Sequence, residues 1–192
     1  MSTTPEPPLS REERLRRVCL VAYTFARNMA CYRSARNGGP DYAGPVSQFW
    51  VTADGNFIDM AVLEWCKLFG DTRAHHAARK VVSDPDQFET DLLAHIGLTA
   101  VEFAELVDVV RTYRDKFVAH LDSERTMTPP KLDVMWAAIQ FYYKHVIDVE
   151  MNEAEFAGWR AKLDQTNTNA DIAKYYVQSL RDAQKQHARG TS

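Results

Sequence analysis

The stretch "TAVEFAELVDVVRTYRDKFVAHLD", residues 99–122, decides the fold class of this chain. Thr99 followed three residues later by Glu102 is a capping box, the pattern that marks the start of an α-helix. At about 100° per residue, apolar side chains then return to one face centred on Val110. These side chains are Phe103, Leu106, Val107, Tyr113, Phe117 and Leu121. The pattern predicts an amphipathic helix that ends shortly after His120 and buries one face against other helices.

The N-terminal part of the chain is predicted as a short lead-in followed by a helix that also starts with a capping box. Residues 1–9 contain three prolines among polar side chains and are predicted as a disordered lead-in. Ser10 with Glu13 forms a second capping box, and the apolar spacing behind it predicts a helix over residues 10–36. Glycines and prolines in residues 36–45 interrupt that helix.

The next stretch is predicted to pass from a loop into a second helix. Residues 46–55, "VSQFWVTADG", are predicted as a loop. Asn56 is then the predicted cap of a helix that stops at Gly70. Residues 71–82, "DTRAHHAARKVV", are predicted as a weak helical turn or loop.

Proline and glycine also mark helix boundaries in the second half. Asp84 before Pro85 predicts a cap and a first helical residue, and Gly97 predicts the end of that helix. Residues 128–130, Thr-Pro-Pro, are predicted to start another helix with a broad apolar side. Residues 152–192 are predicted as a C-terminal helical extension, broken once at "TNTNAD".

Together these elements predict one domain over residues 10–192. No stretch of useful length alternates between apolar and polar side chains, so no strand is predicted. The chain has 192 residues and 45% of them are hydrophobic, which is enough for a sizeable core. The predicted fold is an all-α helical bundle of about five to seven helices.

The composition predicts the cellular compartment of the protein and limits how it can bind nucleic acid or a membrane. The formal net charge is −3, so no positive field over the whole molecule attracts nucleic acid, and any RNA contact has to be local. Cys19, Cys31 and Cys66 are widely spaced and odd in number, which predicts a reduced, cytoplasmic protein. No apolar run approaches 18 residues, so no membrane span is predicted.

Arg114 is out of place in the helix of residues 99–122. It lies about 40° from Val110 and therefore inside the apolar stripe. The acids of this helix fall on the opposite side, so none is predicted to pair with Arg114 locally. They are Glu105, Asp108 and Asp115. Arg114 then needs a remote carboxylate, a water-filled cleft, a partner chain or an anionic ligand. A purely structural role, with the long side chain reaching solvent or closing a tertiary salt bridge, is the alternative.

His120 follows Arg114 closely and adds a second chemical group. A guanidinium suits phosphate because its charge is permanent and its donors are forked. An imidazole has an ordinary pKa near 6.5, which suits proton transfer at neutral pH. On the wheel of a straight helix His120 lies at the edge of the stripe, where packing or capping is the alternative explanation.

The run "RDKFVAHLD", with Arg114, polar Asp115 and His120 near the end of a helix, resembles the Arg-polar-x(n)-His motif of the HEPN superfamily. It is similar in particular to the abortive-infection AbiU-like branch, and "EWCKLFG" and "HHAARKVV" upstream resemble that branch more loosely. The resemblance covers about residues 56–150.

This resemblance implies a helical bundle that forms a homodimer, with motif helices from two chains lining one cleft. It also implies metal-independent RNA cleavage, in which the ribose 2′-hydroxyl attacks the adjacent phosphate. His120 would be the general base or acid, Arg114 would bind the phosphate, and Asp115 would orient the pair. The implied setting is phage defence or a toxin, with an antitoxin or a neighbouring defence protein as partner.

Other sites are less well supported by the residues. His75 and His76 are adjacent and point about 100° apart on a helix, so no metal site is predicted there. No glycine-rich phosphate loop is present and no cofactor is predicted. His145 is predicted to be a satisfied helix residue. The alternative functions are a non-catalytic helical dimerisation module and a nucleotide-binding module of the same fold.

Overall fold

The computed structural model describes residues 9–36, 48–71, 77–119, 130–151, 156–158 and Gln178. Within them lie six α-helices and no strand, so the predicted all-α bundle of five to seven helices is confirmed. The helices are α1 (Arg11–Arg36), α2 (Gln48–Trp65), α3 (Ala78–Val81), α4 (Pro85–Ile96), α5 (Ala100–Tyr113) and α6 (Leu132–His145). Three π-helical segments continue α2, α5 and α6 directly: π1 (Cys66–Gly70), π2 (Arg114–Ala119) and π3 (Val146–Glu150).

Both predicted capping boxes are confirmed. The backbone N–H of Ser10 donates to Glu13 Oε2 at 2.8 Å, and that of Glu13 donates to Ser10 Oγ at 3.2 Å. Thr99 and Glu102 exchange the equivalent bonds at 2.8 Å and 3.2 Å. Each box satisfies backbone donors that have no partner within the first helical turn, so α1 and α5 begin where the sequence predicts.

The boundaries of α4 also follow the sequence. Asp84 Oδ1 accepts a hydrogen bond from the backbone N–H of Gln87 at 3.1 Å, and Pro85 is the first helical residue. Gly97 ends the helix with φ of 68°, a left-handed conformation that glycine adopts without steric cost. Preceding α4, α3 is a single turn, in agreement with the weak helical turn predicted in this region.

The prediction of a loop is wrong for residues 48–55, because α2 includes Gln48 and the residues that follow it. The prediction of Asn56 as a helix cap is wrong too, since Gly55 and Asn56 both lie inside the helix and are exposed. A Cβ at Gly55 would meet open space, so this glycine costs only about 1 kcal/mol of helix propensity. Burial of Ile58, Ala61, Val62 and Trp65 further along α2 outweighs that cost.

The start of α6 lies later than predicted. The Thr-Pro-Pro stretch was expected to open this helix, but Lys131 has ψ of 88° and the first helical residue is Leu132. Lys131 makes no side-chain capping bond. The helix is held by its packing, since Met135, Ala138, Ile139 and Tyr142 are buried along one side.

Helices α1 and α6 run antiparallel, as two ion pairs at opposite ends show. Arg11 Nη2 lies 2.9 Å from Glu150 Oε2, and Arg33 Nη2 lies 2.6 Å from Asp133 Oδ1. Between these pairs the rings of Phe25 and Trp136 pack with centroids 6.0 Å apart.

Helix α5 packs against π1, the segment that continues α2. Phe69 in π1 packs edge-on against Phe103 at 5.9 Å, and a Cβ at Gly70 would lie 3.3 Å from Arg111 Cγ. At the end of α5, Tyr113 Oη donates to Asp59 Oδ1 of α2 at 2.9 Å.

Several predictions fall outside the described residues. They concern the lead-in apart from its last residue, residues 72–76, the end of the motif helix from His120, the loop that follows it, and nearly all of the C-terminal extension. Among the described helices, none is long and apolar enough to cross a membrane.

Candidate functional site

The candidate site is built on the end of α5, which Tyr113 anchors to α2. Tyr113 is buried, and its hydroxyl is bonded to Asp59. Burial and this hydrogen bond raise the pKa of Tyr113, so the phenol stays protonated and remains a donor. The Tyr113–Asp59 bond fixes the rotation of α5 about its axis at the residue directly before Arg114.

At Arg114 the chain changes from α-helical to π-helical geometry. The Nε of Arg114 donates to Asp115 Oδ1 at 2.7 Å, and the two side chains are 21% and 53% exposed. This hydrogen bond raises the pKa of Arg114 above its ordinary value, so the guanidinium stays charged. Arg114 is partly shielded from solvent, as expected for a position within the apolar stripe.

The prediction that no local acid pairs with Arg114 is wrong, because Asp115 does so. The prediction rested on 100° per residue, whereas π2 closes its turns with i→i+5 bonds and contains more residues per turn. A long arginine side chain also reaches well away from the direction of its Cβ. The role of Asp115 in orienting Arg114 during catalysis stays a prediction.

The bond to Asp115 uses only one of the three nitrogens of the guanidinium. Among the described residues, no acceptor is bonded to either terminal nitrogen of Arg114. Asp115 therefore holds the guanidinium of Arg114 through Nε. The two terminal nitrogens have no described acceptor and can donate hydrogen bonds to a ligand. Two parallel N–H donors of this kind match two oxygens of a phosphate.

Cys66, the first residue of π1, lies next to Arg114. Burial raises the pKa of the Cys66 thiol to about 11, and the nearby charge of Arg114 only partly opposes this. A protonated thiol is a poor nucleophile, so Cys66 provides an apolar wall here and no thiolate chemistry.

Gly70 brings the other end of π1 against α5. A Cβ at this position would lie 3.2 Å from Cys66 Sγ and 3.3 Å from Arg111 Cγ, tighter than most van der Waals contacts. Arg111 is about half exposed, and its Nη1 lies 3.7 Å from Asp108 Oδ1. The close approach at Gly70 places a second arginine, one helical turn before Arg114, on the same flank of the site.

His120 lies outside the described residues, which end this segment at Ala119. Of the three predicted site residues, the structure thus brings Arg114 and Asp115 together, and the position of His120 stays a prediction. Asp59 and Gly70 hold the site in place, and neither was predicted as a site residue. Gly70 was predicted only as the end of a helix, because the contacts of these two residues are made across 54 and 41 residues of chain.

A second polar cluster surrounds Glu150, at the end of π3. Its carboxylate is 1% exposed and accepts bonds from Arg11 Nη2 at 2.9 Å and from the backbone N–H of Ser83 at 2.8 Å. His145 Nε2 lies 3.1 Å from Glu150 Oε1, the oxygen that also accepts from the Ser83 N–H, and the His145 ring packs on Phe88 at 4.9 Å. His145 is therefore a satisfied helix residue, as predicted, and the Glu150 cluster is a structural one.

The Glu150 carboxylate stays ionised despite its burial. Burial favours the neutral form, but hydrogen bonds from Ser83 and the neighbouring His145 outweigh this effect and lower the pKa of Glu150. Across the residues described here, no group of three or more His, Cys, Asp or Glu side chains is arranged to hold a metal ion. His75 and His76 lie outside that region.

Comparisons with known proteins assign this chain to no family. No family model, curated protein or solved structure matches it.

Proposed function

We propose that this chain is a metal-independent endoribonuclease of the HEPN type that acts as a homodimer. The observation that carries the proposal is the state of Arg114, whose Nε is held by Asp115 while no described residue accepts from its terminal nitrogens. A partly shielded, oriented cation of this kind is what stabilisation of a phosphorane-like transition state requires. The sequence pattern of Arg114, Asp115 and His120 supplies the remaining argument.

The proposed reaction needs no group other than side chains and the RNA itself. His120, as general base, takes the proton of a ribose 2′-hydroxyl, whose oxygen attacks the adjacent phosphorus. The bond from phosphorus to the 5′-oxygen breaks, and that oxygen takes up a proton from a protonated His120, which then acts as general acid. The products are a 2′,3′-cyclic phosphate and a 5′-hydroxyl end. Arg114 binds the non-bridging oxygens as their charge grows, and Asp115 keeps the guanidinium oriented.

The homodimer would bring the motif helices of two chains to one cleft. The acidic net charge of −3 means that RNA has to be held by such a local arrangement. In this proposal the enzyme is cytoplasmic and acts in phage defence or as a toxin, restrained by an antitoxin or a neighbouring defence protein. The three buried free cysteines suit a reducing compartment.

The test is cleavage of labelled RNA by the purified full chain in the presence of EDTA. Replacement of His120 by alanine is expected to lower the rate about 10²–10⁴-fold, the usual contribution of a general acid or base. An RNA with a single 2′-deoxy nucleotide at the cleaved position is expected to stay intact. Cleavage that requires added metal, or that His120→Ala leaves unchanged, would contradict the proposal.

A second candidate is a non-catalytic module for dimerisation or nucleotide binding. The Arg114–Asp115 bond favours it, because a guanidinium already paired with a carboxylate has part of its charge compensated without a ligand. Nucleotide binding predicts that a mononucleotide at about a hundredfold its Kd raises Tm by about 5–10 °C. An unchanged Tm across a panel of nucleotides excludes that form of the module.

A further inference from the structure

Positive charge is concentrated on helices α1 and α6. The chain as a whole has 26 acidic and 23 basic side chains. Residues 14–36 of α1 nevertheless contain six arginines and no acid. Residues 134–147, most of α6 and the start of π3, contain one lysine and no acid. Because α1 and α6 pack against each other, an acidic protein has a local positive surface here.

A groove of about 240 Å³ lies between these two helices. We call it the α1–α6 groove. Its lining is largely aromatic, with polar side chains among the rings, and includes Tyr23, Ala26, Trp136, Gln140, Tyr143 and Lys144. Tyr23, Trp136 and Tyr143 are each partly exposed, so part of each ring remains accessible to a ligand.

Arginines of α1 flank this groove. The Cζ of Arg33 lies 4.9 Å from the centroid of the Trp136 ring, and Arg33 also pairs with Asp133. At 100° per residue, Arg27 lies about 40° from Tyr23, at the α1 edge of the groove. Arg27 is partly exposed and has no acceptor among the described residues, so its guanidinium can donate to a ligand.

This combination of side chains is typical of a surface that binds single-stranded nucleic acid. Aromatic rings stack on bases of any sequence, and arginines bind the phosphates between the bases. Gln140 is exposed, and its amide can both donate to and accept from the edge of a base. An acidic peptide would pair with the arginines but would not need the aromatic lining, so the groove favours nucleic acid.

The end of the groove at Trp136 lies toward the candidate site. Tyr32, directly before Arg33, is close enough to Tyr113 to contribute to the raised pKa of its phenol. Tyr113 directly precedes Arg114, and α2 packs against both α1 and π2. Arg33 and Arg114 therefore lie at the same end of the bundle.

We propose that the α1–α6 groove binds single-stranded RNA, with bases against its aromatic lining and a phosphate on Arg27. The inference rests on the proposed ribonuclease function for the identity of the strand. It names where a part of the substrate away from the cleaved bond is held. Binding in the groove does not itself require cleavage, so the two can be tested separately.

Equilibrium binding of a labelled single-stranded RNA to the full chain tests the groove. The His120→Ala protein is used in EDTA, so that the RNA stays intact. The dependence of log Kd on log salt concentration reports how many phosphates are bound. Arg27→Gln removes one phosphate contact, so we expect the slope to fall by about 0.7 and Kd to rise about three- to tenfold.

Arg17→Gln is the matched control. It removes the same charge from the same helix, at an exposed position about 180° around α1 from Ala26. Its slope and Kd are expected to stay unchanged. Equal losses in both variants overturn the proposal, because the RNA then responds to the overall charge of α1. Failure of the His120→Ala protein to bind the RNA overturns it as well.

Tyr23→Leu tests the contact with a base. Leucine keeps an apolar side chain between the helices but removes the ring, and we expect Kd to rise roughly 5- to 100-fold, the usual effect of losing one stacked base. Tyr23→Phe keeps the ring and is expected to retain the affinity. An unchanged Kd in Tyr23→Leu overturns the proposal, because no base then lies against this side of the groove.

The fate of the groove and that of the proposed function can be told apart. If the groove variants weaken binding but the unmodified protein never cleaves RNA, the groove is supported and the ribonuclease is contradicted. If the protein cleaves RNA and neither Arg27→Gln nor Tyr23→Leu changes Kd, the ribonuclease is supported and the groove is overturned.

Discussion

Asp115 accepts a 2.7 Å hydrogen bond from the Nε of Arg114, the residue directly before it in the chain. The bond holds the Arg114 side chain through Nε, and the terminal nitrogens Nη1 and Nη2 have no acceptor among the described residues. Neighbours on an α-helix point about 100° apart, so this pairing depends on the reach of the arginine side chain and on the π-helical turn that begins here.

Asp115→Asn tests whether this bond orients the guanidinium during catalysis. Asparagine keeps the shape and an acceptor oxygen but loses the charge that strengthens the bond. We expect kcat to fall roughly tenfold with little change in KM, because orientation affects the transition state more than RNA binding. Initial rates over a range of RNA concentrations measure both constants. An increase in KM alone would assign Asp115 to substrate binding.

Arg114→Met separates a catalytic arginine from a structural one. The side chain is partly exposed and its described ion pair is with a half-exposed neighbour, so we expect the free energy of unfolding to change by less than about 1 kcal/mol. RNA cleavage is expected to fall about 10²–10³-fold. Urea denaturation and the cleavage assay measure the two effects.

Arg79→Met is the matched control for that substitution. Arg79 is an exposed arginine on α3 that pairs with Asp86 and Glu89, and it lies outside the candidate site. It is expected to retain cleavage. A loss of several kcal/mol of stability in Arg114→Met, together with dissociation of a dimer, would make Arg114 a structural residue.

Glu150→Ala should be the most destabilising of these substitutions. It removes a fully buried carboxylate and leaves the backbone N–H of Ser83 and the side chains of Arg11 and His145 without that partner. We expect a loss of about 3–5 kcal/mol in urea unfolding. Asp148→Ala, two residues earlier, removes a more exposed carboxylate that pairs with Lys144 and is expected to cost about 1 kcal/mol or less.

The same carboxylate predicts a dependence of stability on pH. Since the pKa of Glu150 is lowered on folding, the unfolded state takes up its proton first as the pH falls. The stabilisation is therefore complete above the ordinary value of 4.5 and is lost as the pH falls through the lower value of the folded state. Glu150→Gln is expected to flatten the decline in unfolding free energy below pH 4.5. A decline as steep as that of the original protein would show that other carboxylates cause it.

Two glycine substitutions test the packing of π1 against α5. Gly70→Ala places a methyl group 3.2 Å from the buried Cys66 Sγ, and we expect a net loss of about 1 kcal/mol after the gain in helix propensity. Gly55→Ala, inside α2 and facing open space, is expected to stabilise by about 0.5–1 kcal/mol. Thermal unfolding of both variants gives the comparison. Equal effects would mean that Gly70 is not closely packed.

Much of the fold could be predicted from the sequence because helix starts and stops are local. The capping boxes at Ser10 and Thr99 and the left-handed Gly97 act over a few residues, and all three lie where the sequence predicts. The start of α2 could not be predicted in this way, because Gly55 and Asn56 give the local signal of a loop. Burial of the apolar side of α2 against α1 overrides that signal.

For the site, the sequence by itself determined the residue types and their order: an arginine in an apolar stripe, an acid beside it and a histidine shortly after. Only the tertiary structure decided that Asp59 anchors Tyr113, that Gly70 admits α5 to close packing, and that Arg114 bonds to Asp115 in a π-helical turn. The physical reason is the distance along the sequence over which each kind of interaction acts. Caps and periodicity act within one or two turns, whereas Tyr113 and Gly70 meet their partners across 54 and 41 residues of chain. The Arg114–Asp115 bond is local, but it forms in a π-helical turn that the 100° periodicity of an α-helix does not predict.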